Sequence, residues 1–169
     1  MEKDLFIDCE WSLDQNIFLI GYCYSLKEKG QLYDHYVTID NFARVLEKCD
    51  GYIYIYGPDI GMLEKFFAIN IRKNFPCINL IKVFKDHYPD LSSYKLKSME
   101  EYHGIFRSTT RYKENIFKIF SDWKKPKRKK EILHYNMDDV INMYKVKRMV
   151  FHEHTIKKKY LDSIVMKPK

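Results

Sequence analysis

The sequence predicts an α/β domain with a mixed sheet, on two observations. Three apolar runs rich in β-branched and aromatic residues follow one another near the amino terminus, and strand-like and helix-like periodicities alternate after them. The length, 169 residues, suits one domain large enough to bury a core. With 46% apolar and 31% charged residues, six glycines and five prolines, the chain is neither a disordered nor a collagen-like polymer.

The elements follow in order. The runs 4–10, 17–24 and 32–39 are separated by Ser12-Leu-Asp-Gln-Asn16 and Lys27-Glu-Lys-Gly30, and read as an antiparallel meander. Phe42, Val45, Leu46 and Cys49 recur at helical spacing, so a short amphipathic helix is expected, entered through Asp40-Asn41 and closed by Asp50-Gly51. A fourth strand spans 52–56, and Gly57-Pro58-Asp59 breaks it into a helix that turns Leu63, Phe66, Phe67 and Ile71 inward. From Phe75 to Phe84 a short strand or turn passes into a helix, Tyr88-Pro89-Asp90 breaks it, and another helix runs from about Lys95 to His103 before Gly104. Ile116, Ile119, Phe120 and Trp123 form a further helical stripe, 124–130 reads as a basic loop, and a last long helix reaches about Val150. The domain thus covers 1–150, and 151–169 is expected to be a loosely held basic tail.

The formal charge of +7 is local. Residues 124–169 hold 14 of the 30 Lys and Arg against five acids, while the remaining 123 residues are slightly acidic. Such a surplus suits a polyanion held against one part of the surface, or a solvated lysine-rich tail. Cys9, Cys23, Cys49 and Cys77 have no Cys-x-x-Cys spacing and are expected to be reduced. No apolar run reaches the ~18 residues of a membrane span and no targeting segment is visible, so a soluble cytoplasmic protein with no membrane partner is expected.

Acids supply the candidate chemistry. Strand side chains alternate, so Asp8 and Glu10 project from one face of the first strand while Leu5, Ile7 and Cys9 take the other. Two adjacent acids on a core strand are either solvent-facing or held together by a cation. Asp59, between a strand and a helix, is either a helix cap or a third member of the group. In the last helix Leu133, Met137, Val140 and Tyr144 form one stripe, with Tyr135 and Asp139 on another face. His134 and Asp138 make an equivalent pair one residue over, and periodicity does not choose between the pairs. An acid pair, an acid after the fourth strand and an acid from the last helix can converge on two hard divalent cations, magnesium or manganese rather than zinc.

These residues, in this order and spacing, resemble the DEDD, or DnaQ-like, 3′-to-5′ exonucleases over roughly residues 4–150. Asp8-Cys9-Glu10 is similar to the first motif of that family, and Tyr54-Ile-Tyr-Gly-Pro-Asp59 with Leu63 to the second. Tyr135-Asn-Met-Asp-Asp139-Val140 is similar to the third motif of the YprB-like predicted exonucleases, and 79–83 and 94–105 resemble the segment connecting the motifs in that subgroup.

The resemblance implies a ribonuclease H-like three-layer fold with a five-stranded sheet, its first three strands antiparallel. It further implies that Asp8, Glu10, Asp59 and Asp139 hold two Mg²⁺ or Mn²⁺ ions at the scissile phosphate, and that Tyr135 orients the attacking water. The histidine branch of the family uses His-x-x-x-x-Asp, which His134 and Asp139 also fit, while Asn136 after the tyrosine favours the tyrosine branch. Two departures stand out: Asn79 replaces an acid common in relatives, and Cys9-Glu10-Trp11-Ser12 replaces small polar residues.

The expected activity is removal of nucleotides from the 3′ end of single-stranded DNA or RNA, DNA favoured. An endonuclease or ribonuclease on the same fold, and a non-catalytic binding module, are the alternatives. Trp11 either stacks on a terminal base or caps the core. Lys124, Lys125, Lys127, Arg128, Lys129 and Lys130, with Lys145, Lys147 and Arg148, form the expected phosphate track. His152-Glu153-His154 has no matching ligand cluster, Cys9 reads as a core thiol, and phosphate-loop, dinucleotide and nucleophile-elbow motifs are absent.

Overall fold

A computed structural model of the chain describes residues 2–108, 112 and 116–168, without the side chains of Ile116 and Phe117. Its strands are β1 (Leu5–Trp11), β2 (Ile17–Cys23), β3 (Lys29–Tyr33), β4 (Ile53–Ile55) and β5 (Cys77–Asn79), in the spatial order β3-β2-β1-β4-β5. The first three pair antiparallel, and β4 and β5 run parallel to β1, as the sequence predicts. The helices are α1 (Ile39–Leu46), α2 (Asp59–Phe67), α3 (Ile71–Asn74), α4 (Leu80–His87), α5 (Leu96–Tyr102), α6 (Ile116–Trp123), α7 (Pro126–Glu153) and α8 (Lys158–Ser163).

Alternation along β1 divides the core in two. Leu5, Ile7 and Cys9 pack with Phe42, Val45, Ile60 and Leu63 of α1 and α2. Phe6, Tyr54 and Ile78 pack on the other face with Val83 and Phe84 of α4, Met99 of α5, and Val140, Met143, Val146 and Val150 of α7. Burial of apolar side chains on both sheet faces produces three layers and puts Asp8 and Glu10 on the face that α7 crosses.

Four expectations are corrected. The third strand ends at Tyr33 rather than Ile39: Asp34 takes a left-handed φ of 51°, a single 3₁₀ turn follows, and Thr38 caps α1 by accepting from the Asn41 N–H at 3.3 Å. The basic stretch is a loop only to Lys125, since Pro126 opens α7, where its missing N–H costs nothing. The inward face of α7 is Ile132, Asn136, Asp139, Val140, Asn142, Met143, Val146 and Val150, rotated from the predicted stripe. Finally, the carboxy-terminal segment is packed. α7 continues to Glu153, Leu161 is buried, the Tyr160 hydroxyl donates to Asp86 at 2.8 Å, and the Met166 N–H donates to the Cys77 carbonyl at 2.9 Å. Among the described residues no helix is long and apolar enough to cross a membrane. In the predicted stripe on α6, Ile119 is buried and the side chain of Ile116 lies outside the described residues.

Candidate functional site

The carboxyl end of β1 and the middle of α7 meet at an acidic cluster. Each of Asp8, Glu10 and Asp139 offers a carboxylate oxygen, and these oxygens lie within 4.8 Å of one another. They border a cavity of about 600 Å³ that Trp11, Asp59, Phe120 and Tyr135 also line. A register shift between Glu10 and Trp11 breaks the pairing of β1 with β2 just where the indole meets the cavity.

Asp59 stands at the amino end of α2 and is buried, yet it is not the cap. Its carboxylate accepts from the Cys9 N–H at 3.3 Å and from the Cys9 thiol at 3.2 Å, which ties α2 to β1. Asp138 and Asp139 part company: Asp138 accepts from the backbone N–H and hydroxyl of Ser108 at 3.1 and 2.8 Å, whereas Asp139 turns inward. The structure thus separates the two acids that periodicity left equivalent.

The partners of Asp8 were not legible in the sequence. The Asn136 amide donates to Asp8 Oδ2 at 2.7 Å, and its oxygen accepts from Gln31 Nε2 at 2.9 Å. Gly21, opposite Asp8 in β2, makes room for this: a Cβ there would lie 2.2 Å from Asn136 Oδ1. Arg107 was missed as well. Its Nη2 donates to Asp139 Oδ1 and its Nε to Glu100 Oε2 at 2.5 Å, while Asn142 Nδ2 donates to the other Glu100 oxygen at 3.0 Å.

Burial and mutual repulsion govern the titration of the cluster. Burial, then the Asp59 charge, raise Asp8 above the usual carboxylate range, against the opposing pull of Asn136 and Arg107. Burial, then Asp8 and Asp139, raise Glu10; burial, then Asp8, raise Asp139. Burial likewise raises Asp59. The Cys9 thiol is pushed up by burial and then by Asp59 and Asp8, which keeps it protonated. Among the described residues the clustered donors are thus carboxylate oxygens, and acids crowded together with raised proton affinity fit a hard divalent cation. Burial and the charge of Asp139 hold the Tyr135 hydroxyl protonated.

Of the other predicted residues, Tyr135 lines the cavity, with the Tyr112 ring edge-on at 5.7 Å, whereas His134 faces solvent and does not line it. Lys124 lies 4.5 Å over the ring of Phe120, which lines the cavity. Lys125 pairs with Asp122 at 2.8 Å, Arg128 with Glu131 at 2.7 Å, and Lys129 with Asp34; Lys127 and Lys130 are exposed. Lys147 instead pairs with Asp4 at 3.0 Å across the Tyr54 and Phe151 rings. Asn79 donates to the Gly57 carbonyl and accepts from the Gly57 N–H, both at 3.2 Å, a pairing an ionised aspartate cannot complete.

No curated protein matches the sequence. Among solved structures, a family B DNA polymerase from the hyperthermophilic archaeon Pyrobaculum calidifontis superposes with a TM-score of 0.73 at 17% identity, over 89% of this chain. The match covers 25% of the polymerase, so this chain spans about a quarter of its length. Brucella melitensis NrnC bound to pGG superposes at 0.70 with 14% identity, over 96% of this chain and 79% of NrnC. NrnC with bound Mg²⁺ superposes at 0.67 with 13% identity, over 96% and 80%. At these identities the likeness is one of fold. Residues 5–151, from the start of β1 almost to the end of α7, match the RNase_H superfamily by sequence. The sheet order, the helices on both of its faces and this match agree: the chain is a ribonuclease H-like α/β protein and belongs to the RNase_H superfamily.

Proposed function

We propose that the protein is a divalent-metal-dependent nuclease of the DEDD type, and within that class a 3′-to-5′ exonuclease on single-stranded nucleic acid, DNA ahead of RNA. One observation carries the reading: the carboxylate oxygens of Asp8, Glu10 and Asp139 converge within 4.8 Å beside the cavity that Tyr135 lines. NrnC, bound to pGG and to Mg²⁺ in its own structures, supports a nucleic-acid substrate and magnesium.

Asp8, Glu10 and Asp139, with Asp59 behind them, would hold Mg²⁺ or Mn²⁺. Metal held by these carboxylates would supply positive charge at the scissile phosphate and at the departing 3′ oxygen. Asp8 is aimed by Asn136, so its free oxygen keeps one direction. Tyr135 stays protonated and can donate to, and accept from, a water placed for in-line attack. Trp11 and Phe120 give the terminal base flat apolar surface. Lys124 to Lys130 would follow the backbone, and neutralising Lys127 and Lys130 should shrink the salt slope of binding by about 0.7 per lost phosphate contact.

The test uses 3′- and 5′-labelled single-stranded DNA and RNA and a circular single strand, with Mg²⁺, Mn²⁺ or chelator. Stepwise metal-dependent shortening from the 3′ end, with the circle intact, is the expected result. Cutting of the circle would replace the exonuclease with an endonuclease, and binding without cleavage would leave a non-catalytic module.

A further inference from the structure

Four cations of α7, namely Lys125, Arg128, Lys129 and Lys147, are each held by a carboxylate. Lys145 and Arg148 are not: among the described residues neither forms an ion pair, and Arg148 Nη1 donates instead to the Tyr144 hydroxyl at 3.2 Å. Tyr144, Lys145, Arg148, Met149 and His152 form one stripe of α7, on the side opposite the buried Met143, Val146 and Val150. This stripe lines a second groove, of about 440 Å³, together with Leu26 from the turn between β2 and β3 and Ile105 from the segment after α5. No carboxylate lines it. Leu26 and Met149 are 46% and 42% exposed, so apolar surface stands in water beside two cations. Single exposed apolar side chains are ordinary, whereas a concave apolar surface lined by charge of one sign marks a place where something binds.

Charge and surface chemistry both restrict the occupant. Lining charge of one sign calls for an anionic partner. The apolar lining is aliphatic apart from Tyr144, whose ring Arg148 overlies at 5.6 Å and Phe6 meets edge-on at 5.4 Å. Bases of a single strand bind by stacking on open aromatic faces, which this groove does not offer, whereas aliphatic walls suit the apolar side chains of a peptide. We infer that the groove docks a short acidic peptide segment of a partner protein, its apolar side chains against Leu26, Ile105 and Met149 and its carboxylates on Lys145 and Arg148. Tyr144 already orients Arg148, so less side-chain freedom is lost on binding. The two cavities share no lining residue, and the groove therefore adds a partner surface that does not depend on the metal site.

The experiment reads binding by fluorescence anisotropy. The probes are short fluorescein-labelled peptides that alternate glutamate with leucine or phenylalanine. Controls carry lysine for the glutamates, or serine for the apolar residues, and a single-stranded oligothymidylate is measured beside them. The acidic apolar peptides should bind saturably and the control peptides should not. Lys145→Glu/Arg148→Glu should weaken that binding by about 100-fold. Leu26→Ala/Met149→Ala, which leaves the charge alone, should weaken it by about tenfold. Both of those side chains are exposed, so circular dichroism should show the fold intact. No saturable binding of the acidic apolar peptides, or binding that survives both variants, would overturn the proposal. Loss of oligothymidylate binding in Leu26→Ala/Met149→Ala would give the groove to nucleic acid instead. A dimer in sedimentation that this variant dissociates would give it to a second copy of the chain.

Discussion

Asp8 and Asp139 belong to one cluster but are held by opposite kinds of partner. Asp8 accepts from a neutral amide, Asn136, which Gln31 holds in turn. Asp139 accepts from a buried guanidinium that also donates to Glu100, whose other oxygen accepts from Asn142. Both arrangements fix a carboxylate in direction, but only the second sets a positive charge against it. An amide brings no positive charge to Asp8, so burial, then repulsion from Asp59, raise its proton affinity. The guanidinium works the other way on Asp139, although burial and Asp8 still prevail. One side of the cluster is thus shaped by geometry and the other by geometry and charge together.

Substitutions can break this comparison, and the largest effect is expected at the acids themselves. Asp8→Asn and Asp139→Asn should each lower turnover by about 10³-fold, by removing a group that places charge at the phosphate. A single-turnover assay checks this, and equal residual rates would show that both sides serve the reaction alike. Asn136→Ala acts one layer further out and should cost about 10–100-fold in metal affinity or rate. Calorimetric titration with Mn²⁺ reads it, and an unchanged affinity would mean that Asp8 needs no aiming. Gly21→Ala reaches the same contact from the sheet, since its new Cβ would meet Asn136 Oδ1 at 2.2 Å. It should reproduce a part of the Asn136→Ala loss, about tenfold, and combining the two should add little.

The smallest effect is on stability. The folded cluster holds its protons more tightly than free carboxylates do, so without divalent ions the fold binds more protons than the unfolded chain as pH rises above ~4. Stability contributed by these groups therefore falls with rising pH through that window, and ions that bind the ionised form restore it. Mg²⁺ at saturating concentration should raise Tm by about 2–4 °C or more at pH 8 and by much less at pH 5. Scanning calorimetry checks this, and Asp8→Asn should flatten the pH dependence.

Much of this was legible in the sequence, because two signals are strongly periodic. Alternation along β1 placed Asp8 and Glu10 together and opposite Leu5, Ile7 and Cys9, and the order of strands and helices foretold the mixed sheet. The inward face of α7 was misread for a physical reason. Asn136, Asp139 and Asn142 lie on it, and polar groups buried for function do not register in an apolar pattern. Taken alone, Asp59 read as a cap, because a strand-to-helix acid has the same local sequence whichever way its carboxylate turns. Arg107 left no trace, since it sits in an irregular segment after α5 where no period constrains the side chain. The end of β3 turned on a single left-handed residue, Asp34, which an aspartate tolerates but does not announce.

The contact between Met166 and Cys77 bears on a different property. β5 is a terminal strand of the sheet, and an uncovered strand rim offers its backbone groups to any other extended chain. The carboxy-terminal segment lies along that rim, with the Met166 N–H on the Cys77 carbonyl and Ile164 and Val165 against the neighbouring apolar side chains. Those last residues hold none of the acids of the cluster and cover part of that rim. A chain shortened before Ile164 would keep the whole acidic cluster and be expected to precipitate at concentrations where the intact chain stays dispersed.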